Sequence, residues 1–345
     1  MIGGMLTFAV AFATSCSLIV PIRRMALHFG IVDIPNARKI HHTPIPLMGG
    51  VAIYCGTVLA IMGFVESRAR GQIFGILAAS TLLLVVGILD DRHLLHHQVK
   101  LFIAMPLAAL TLVALGVRTQ VGSAFLAGRL GAIADIGLTL FWVVGITAAY
   151  NIFDHMDGLA SGVTAIASLF FTLLALREGQ VLVATLAAAL LGGSLGFLIW
   201  NFNPAKIFMG DGGAMFLGFM VATLGLKLRL HSAPETTSWM IPILLLIVPI
   251  FDTTLVSISR ARRGLIPFAS PGKDHTAHRL SNVGLGQRGA VLALYGVGAA
   301  AGFLALLVYR TTPVVSCSMA IAVAVAAMAA VVMLERFPYE RQSKA

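Results

Sequence analysis

The chain has 345 residues, 58% of them apolar and 11% charged, with a mean hydropathy of +0.93 and a formal net charge of +10. Soluble globular surfaces use about a quarter charged residues, so this inventory excludes a soluble protein, and it equally excludes disordered, collagenous and coiled-coil chains. It describes an all-α polytopic membrane protein. The basic residues fall between apolar runs, which is a membrane pattern and not a nucleic-acid surface. Cys16, Cys55 and Cys317 lie inside apolar runs without a CxxC pair and read as small core residues.

A helix crossing ~30 Å of hydrocarbon needs about 20 mostly apolar residues. Such runs occur at 2–22, 47–65, 71–89, 101–117, 135–153, 160–177, 181–199, 212–229, 239–258, 289–309 and 313–334. The expectation is therefore about eleven transmembrane helices, with ten or twelve as alternatives, because 118–134 is too rich in glycine to count alone. No Lys or Arg precedes the first run, and Arg23 and Arg24 follow it at once. That order favours a retained helix over a cleaved signal, with the N-terminus outside and the C-terminus cytoplasmic. Alternating from there, sixteen of the 24 Lys and Arg residues face the cytoplasm. Ten of the fourteen carboxylates and nine of the ten histidines fall on the same side. Positive-inside sorting does not predict either bias, so the chemistry is expected at the cytoplasmic face.

In chain order, the first polar segment is Asp33-x-Pro35-Asn36-x-Arg38-Lys39-x-His41-His42-x-Pro44-Ile45-Pro46-x-x-Gly49-Gly50. It reads equally as a rigid, topogenic Pro/Gly turn and as a ligand contact. Asp90-Asp91-Arg92 closes the third run. A solvated helix end is the bland reading. Adjacent carboxylates repel, however, and a helix C-terminus carries about half a negative charge, so the pair needs a metal or a basic partner. Asn151, Asp154 and Asp157, spaced three apart, share one face if helical. Asp157-Gly158 can cap the next helix, and the trio also offers the hard oxygen ligands that Mg²⁺ favours.

The segment Asn201-Phe-Asn203-Pro-Ala-Lys206-Ile-Phe-Met-Gly210-Asp211-Gly212-Gly213 opens the eighth run. It reads as a capped helix start, or as a Gly-rich N-terminus suited to phosphate or its metal; it is not a Walker A loop. The longest polar stretch, 259–288, carries Arg260, Arg262, Arg263, Lys273, Asp274, His275, His278, Arg279 and Arg288. Arg260–Arg263 read well as topogenic or lipid-facing charge. His275-x-x-His278-Arg279 lacks the glutamate of a zinc hydrolase and suits a diphosphate.

With these motifs in this order, the chain resembles the polyprenyl-phosphate N-acetylhexosamine-1-phosphate transferases over residues 30–282. The match takes in the amino-terminal loop, Leu89-Asp90-Asp91-Arg92, Asn151-x-x-Asp154-x-x-Asp157-Gly158-Leu159, Asn203-Pro-x-Lys206-x-Phe-Met-Gly210-Asp211 and His275-x-x-His278-Arg279-Leu280. The last motif resembles the GlcNAc-1-phosphate branch more than the phospho-MurNAc-pentapeptide branch, which stands as the alternative. Two positions depart from the family pattern, His155 after Asp154 and Ala277 before His278, and both bear on the sugar donor.

The resemblance implies an eleven-helix, single-domain transferase (1–345) in the bacterial inner membrane. Loops 23–46, 90–100, 151–159, 200–211 and 259–288 would form its cytoplasmic active site. The substrates implied are a UDP-N-acetylhexosamine and undecaprenyl phosphate, with Mg²⁺ (or Mn²⁺) as cofactor and a homodimer as the further partner. Asp90, Asp91, Asp154, Asp157 and Asp211 are the catalytic candidates. Asp211, Asp91 and Asn151 are the metal candidates. Lys39, Asn151, Asn203, Lys206, Arg263, His275, His278 and Arg279 are the substrate-binding candidates. A competing class, an ion-coupled transporter, would place carboxylates near the bilayer midplane. Only Asp252 sits inside a run, and a nearby Arg is its expected partner.

Overall fold

A computed structural model describes residues 2–34, 44–65, 69–95, 97–231, 238–266, 272–337 and 339. Packing divides the chain into two compact units, Met1–Arg229 and Leu230–Ala345. The first holds α1 (Ile2–His28), a two-stranded ribbon of β1 (Val32–Asp33) and β2 (Ile45–Pro46), α2 (Gly49–Phe64), α3 (Arg70–Asp91) and α4 (Lys100–Ala114). It continues with α5 (Val121–Phe125), α6 (Gly128–Phe153), α7 (Leu159–Arg177), α8 (Val181–Asn201) and α9 (Gly210–Lys227). The second unit holds α10 (Met240–Leu245), α11 (Ile247–Arg262), α12 (Thr276–Leu280), α13 (Gly286–Val308) and α14 (Pro313–Leu334).

Every apolar run lies on helix, and among the described residues seven helices are long and apolar enough to cross a membrane. The protein is a polytopic, essentially all-α membrane protein. At two places where helices depart from regularity, proline explains it. The run 239–258 breaks between α10 and α11 at Leu246. Pro249 has no N–H for the carbonyl of Leu245, and its ring crowds that carbonyl. Pro106 does the same to Phe102, and α4 opens with a π turn, Lys100–Ala104. The glycine-rich stretch forms α5 and the first turns of α6. Asp135, 2% exposed inside α6, accepts hydrogen bonds from Gly122 N (2.7 Å) and Ser123 N (3.2 Å) at the start of α5. Asp252 is thus not alone within a helical span.

In the first unit, glycines let helices touch backbone to backbone. A Cβ on Gly192 or Gly196 of α8 would lie 2.3 Å from Phe8 O or 2.5 Å from Phe12 O of α1. A Cβ on Gly87 of α3 would meet Gly212 Cα at 2.3 Å, and one on Gly50 of α2 would meet Gly213 Cα at 2.2 Å. The start of α9 is therefore wedged between α2 and α3. The ribbon pairs Val32 with Pro46 and Asp33 with Ile45. From there Pro46 O accepts from Phe208 N (2.8 Å), and Gly49 N and Gly50 N donate to Phe208 O and Met209 O (2.9 Å each).

In the second unit, Leu255, Val331 and Leu334 form a core cluster with Phe251, Ile258, Leu280 and Phe337 packed on it. This packing brings α11, α12 and the end of α14 together.

Candidate active site

The wedge at Gly212 and Gly213 places Asp211, in the first turn of α9, beside Asp90 and Asp91 at the end of α3. The carboxylate of Asp91 accepts a hydrogen bond from Asp211 N (3.0 Å) through Oδ1. Its Oδ2 is buried with no partner among the described residues and lies against Gly210, where an added Cβ would approach it to 2.5 Å. Gly210 also has φ +76°, so a side chain there is excluded twice. Lys100 Nζ lies 2.6 Å from Asp90 Oδ2 and 2.5 Å from Asp211 Oδ2. The cationic partner that the Asp90-Asp91 pair requires is therefore the ammonium of Lys100, at the head of the π turn. Positive N–H groups at the start of α9 add to it, offsetting the unfavourable C-terminal dipole of α3.

Asn151 and Asp154 lie at the end of α6, and Asp157 in the turn before α7. The Asp154 carboxyl is pushed up to about 7, first by burial and then by the charges of Asp211 and Asp157. Asn151 Nδ2 is buried without a partner among the described residues. Asp157 Oδ2 accepts from Asn203 Nδ2 (3.0 Å) and Ala205 N (2.9 Å), so two candidates expected to meet substrate meet each other. Asn201, unremarked as a candidate, ties the same segments together. Its Oδ1 accepts from Gly158 N (2.9 Å), where φ is +75°, and its Nδ2 donates to Ile207 O (3.0 Å). The Lys206 ammonium sits over the Trp200 ring, 5.3 Å from its centroid.

In the second unit, Asp274 receives Arg260 through Nε to Oδ2 (3.0 Å) and Nη2 to Oδ1 (2.8 Å), and it also binds Arg263 Nη2. Burial alone would raise the Asp274 carboxyl; hydrogen bonds from Arg260 and Arg263 and the nearby positive charge hold it below its usual value. His275 Nδ1 lies 2.8 Å from Asp252 Oδ2, and Asp252 Oδ1 accepts from Thr276 N (2.7 Å). The hydrogen bonds found for Asp252 thus reach a histidine and a backbone amide, where an arginine was expected. The His278 ring packs edge-on to His275, with centroids 6.1 Å apart.

Arg279, expected to hold a diphosphate, points inward. It is 0% exposed and donates to Asp274 O, Leu334 O and Ser259 Oγ. Arg263 keeps Nη1 without a partner among the described residues. Lys39 lies outside the described residues.

The structure brings Asp90, Asp91, Asp154, Asp157 and Asp211 together in one unit. It adds Lys100, whose only sequence signal was a lone charge heading an apolar run. An arrangement of hard carboxylates around one cation can neutralise and orient phosphate groups.

The profile of glycosyl transferase family 4 matches residues 73–229, which include Asp90, Asp91, Lys100, Asp154, Asp157 and Asp211. The chain is 38% identical over 304 residues to a probable undecaprenyl-phosphate N-acetylglucosaminyl 1-phosphate transferase of Bacillus subtilis (strain 168), covering 86% of this chain and 83% of the relative. The chain belongs to the polyprenyl-phosphate N-acetylhexosamine-1-phosphate transferase family. A decaprenyl-phosphate N-acetylglucosaminephosphotransferase of Mycolicibacterium smegmatis is 35% identical over 303 residues (79% and 74% covered). An undecaprenyl-phosphate alpha-N-acetylglucosaminyl 1-phosphate transferase of Escherichia coli (strain K12) is 28% identical over 291 residues (79% and 75% covered). Residues 260–279 lie beyond the family profile, so the carboxylate cluster, and not the basic loop, is the part inside it.

Proposed function

We infer that this protein transfers GlcNAc-1-phosphate from UDP-GlcNAc to undecaprenyl phosphate, giving undecaprenyl-diphospho-GlcNAc and UMP. The convergence of Asp90, Asp91, Asp154 and Asp211, with Lys100 bonded between Asp90 and Asp211, carries the reading; the names of the relatives support the donor and the lipid. A lipid phosphate oxygen forms a bond to the β-phosphorus as the bond from that phosphorus to the bridging oxygen breaks, and UMP departs. Both reactants are anions, so the main task is to neutralise and align them.

Asp90 is ion-paired to Lys100, which leaves it little tendency to take a proton, and a lipid phosphate is already ionised at neutral pH. Positioning, not base catalysis, is the role this favours for Asp90. Lys100 offsets the repulsion between its two carboxylates and an approaching phosphate. Asp157 and Asn203 brace the turn that presents Asp154.

Mg²⁺ fits this donor set, because Asp91 Oδ2 is a hard oxygen buried without a partner among the described residues. Asp211, Asp91 and Asn151 would hold it, and a bound ion supplies Lewis-acid neutralisation of the diphosphate. Mn²⁺ is the alternative ion. In the second unit, Arg263, with Nη1 unpartnered among the described residues, offers a further donor to an anion. The proposed setting is a bacterial inner membrane with eleven spans, the N-terminus outside, the C-terminus inside, a cytoplasmic active site and a homodimeric assembly. The product would begin a cell-envelope glycan.

The test is UMP release by detergent-purified protein given undecaprenyl phosphate, Mg²⁺ or Mn²⁺, and UDP-GlcNAc. Release that needs lipid, metal and Asp211 (lost in Asp211→Asn) supports the reading. Turnover only with another UDP-sugar would overturn the donor and assign the difference to His155 and Ala277. Silence with every donor would overturn the transferase.

A further inference from the structure

Beyond α14, Glu335 and Tyr339 lie against the arginines at the end of α11 and in α12 of the same unit. Besides its three bonds described above, Arg279 Nη2 lies 2.8 Å from Glu335 Oε1. The Arg279 guanidinium carbon is 4.1 Å from the centroid of the Tyr339 ring, and that of Arg263 is 5.4 Å from the same centroid. Ser259 Oγ donates to the Tyr339 hydroxyl at 3.4 Å, and Arg262 Nη1 is 3.6 Å from Glu335 Oε2. One aromatic ring thus lies beside two guanidiniums, of which Arg263 shares Asp274 with Arg260 and Arg279 shares Glu335 with Arg262.

The two arginines are not equivalent. Arg279 is enclosed and bonded on all three of its nitrogens. Arg263 is 17% exposed and donates through Nε to Ser259 O (3.0 Å) and through Nη2 to Asp274, while Nη1 is buried with no acceptor among the described residues. A buried donor left without an acceptor is costly, and an anionic oxygen is the strongest acceptor that can relieve it.

We propose that Tyr339 and Glu335 are positioning residues: they fix Arg279 as a post and, against it, hold Arg263 with Nη1 presented to a phosphate oxygen of the nucleotide-sugar. The proposal rests on the transferase reading. Neither residue falls within the motifs of the family or within residues 73–229, so no pattern marks them.

The experiment measures initial rates against UDP-GlcNAc and, separately, against undecaprenyl phosphate, for wild type, Tyr339→Leu, Tyr339→Phe and Glu335→Gln. Loss of a partly buried cation–π contact is expected to raise the donor KM about tenfold in Tyr339→Leu, with kcat and the lipid KM within about twofold. Tyr339→Phe keeps the ring and stays near wild type, and Glu335→Gln raises the donor KM by less. A Tyr339→Leu enzyme with an unchanged donor KM overturns the proposal. So does a fall in kcat alone, or a Phe variant as impaired as the Leu variant. Should Tyr339→Leu elute as aggregate, Glu335→Gln decides by the same criterion.

Limited trypsin cleavage at Arg263 and Lys273 is followed in parallel. A wild type silent with every UDP-sugar refutes the transferase reading and leaves cleavage to judge the clamp. Faster cleavage in Tyr339→Leu then supports it, and unchanged cleavage overturns it.

Discussion

Two charged clusters, one in each unit, use similar residue types to opposite effect. In Met1–Arg229, five carboxylates gather with one ammonium, Lys100, bonded between Asp90 and Asp211. In Leu230–Ala345, Asp274 takes up Arg260 and Arg263, Glu335 takes up Arg279, and Asp252 faces His275. The first cluster carries surplus negative charge and a buried Asp91 oxygen with no partner among the described residues; the second is nearly balanced, leaving one Arg263 donor and one Glu335 oxygen without hydrogen bonds among the described residues. Surplus charge costs stability and persists where a ligand will neutralise it, whereas balanced buried charge serves architecture. The difference separates residues that meet substrate from residues that hold others in place, even where both stand in motifs.

The sharpest break of this contrast comes from one substitution in each cluster. Asp211→Asn removes a carboxylate with surplus neighbours and is expected to cut kcat by about 10³-fold or more while leaving the melting temperature near wild type or higher. Asp274→Asn strands Arg260, 3% exposed, and should lower stability by about 3–5 kcal/mol, seen as an early thermal transition in detergent. If Asp274→Asn melted like wild type while Asp211→Asn unfolded, the assignment of work to the two clusters would be reversed.

Much of this was legible beforehand, and the parts that were not share a physical cause. Hydrophobic runs record local free energy of transfer, so all eleven coincide with helices. The Leu246 break needed only Pro249 to be taken at its word. Asp90 and Asp91 stand out as adjacent like charges at a helix C-terminus, Asp154 by its spacing of three from Asn151 and Asp157, and Asp211 by its Gly-rich helix start. Lys100 does not, since a lone lysine at the head of a run is the usual topogenic charge, and its tie to Asp211 spans 111 residues. Gly212 and Gly213 were visible, but their use was not. They read as phosphate-facing turn residues, and their partners, Gly87 and Gly50, lie on other helices. In the sequence Arg279 reads as a phosphate ligand because its acceptors, Leu334 O and Glu335, are more than fifty positions away. Residue type announces chemistry; only long-range pairing shows whether that chemistry is already spent.

Lys100 offers a finer test of the first cluster. Lys100→Met leaves Asp90 and Asp211 facing each other without their shared cation. Turnover should fall by about 10²-fold, because the phosphates lose a fixed positive partner. The concentration of Mg²⁺ giving half-maximal rate should fall as well, since two carboxylate oxygens become available to the ion. A variant that needed more Mg²⁺ than wild type would show that the ammonium helps to build the metal site and does not compete for its oxygens.

The smallest effect expected concerns Asp154, whose carboxyl lies near 7 in the metal-free fold against an ordinary value near 4. Between these values the folded chain holds a proton that the unfolded chain has released. Raising the pH through that window therefore favours unfolding, and the penalty is complete above pH 7. Asp154→Asn, neutral throughout, should melt a few degrees above wild type at pH 8 in EDTA and with it at pH 4. A divalent cation neutralises the cluster, so adding Mg²⁺ at pH 8 should stabilise the wild type more than the variant. A wild type that gained stability from pH 5 to 8 while Asp154→Asn did not would mean that Asp154 is ionised at little cost, with a cationic neighbour of its own. The surplus of negative charge in the first cluster would then be smaller than the contrast with the second requires.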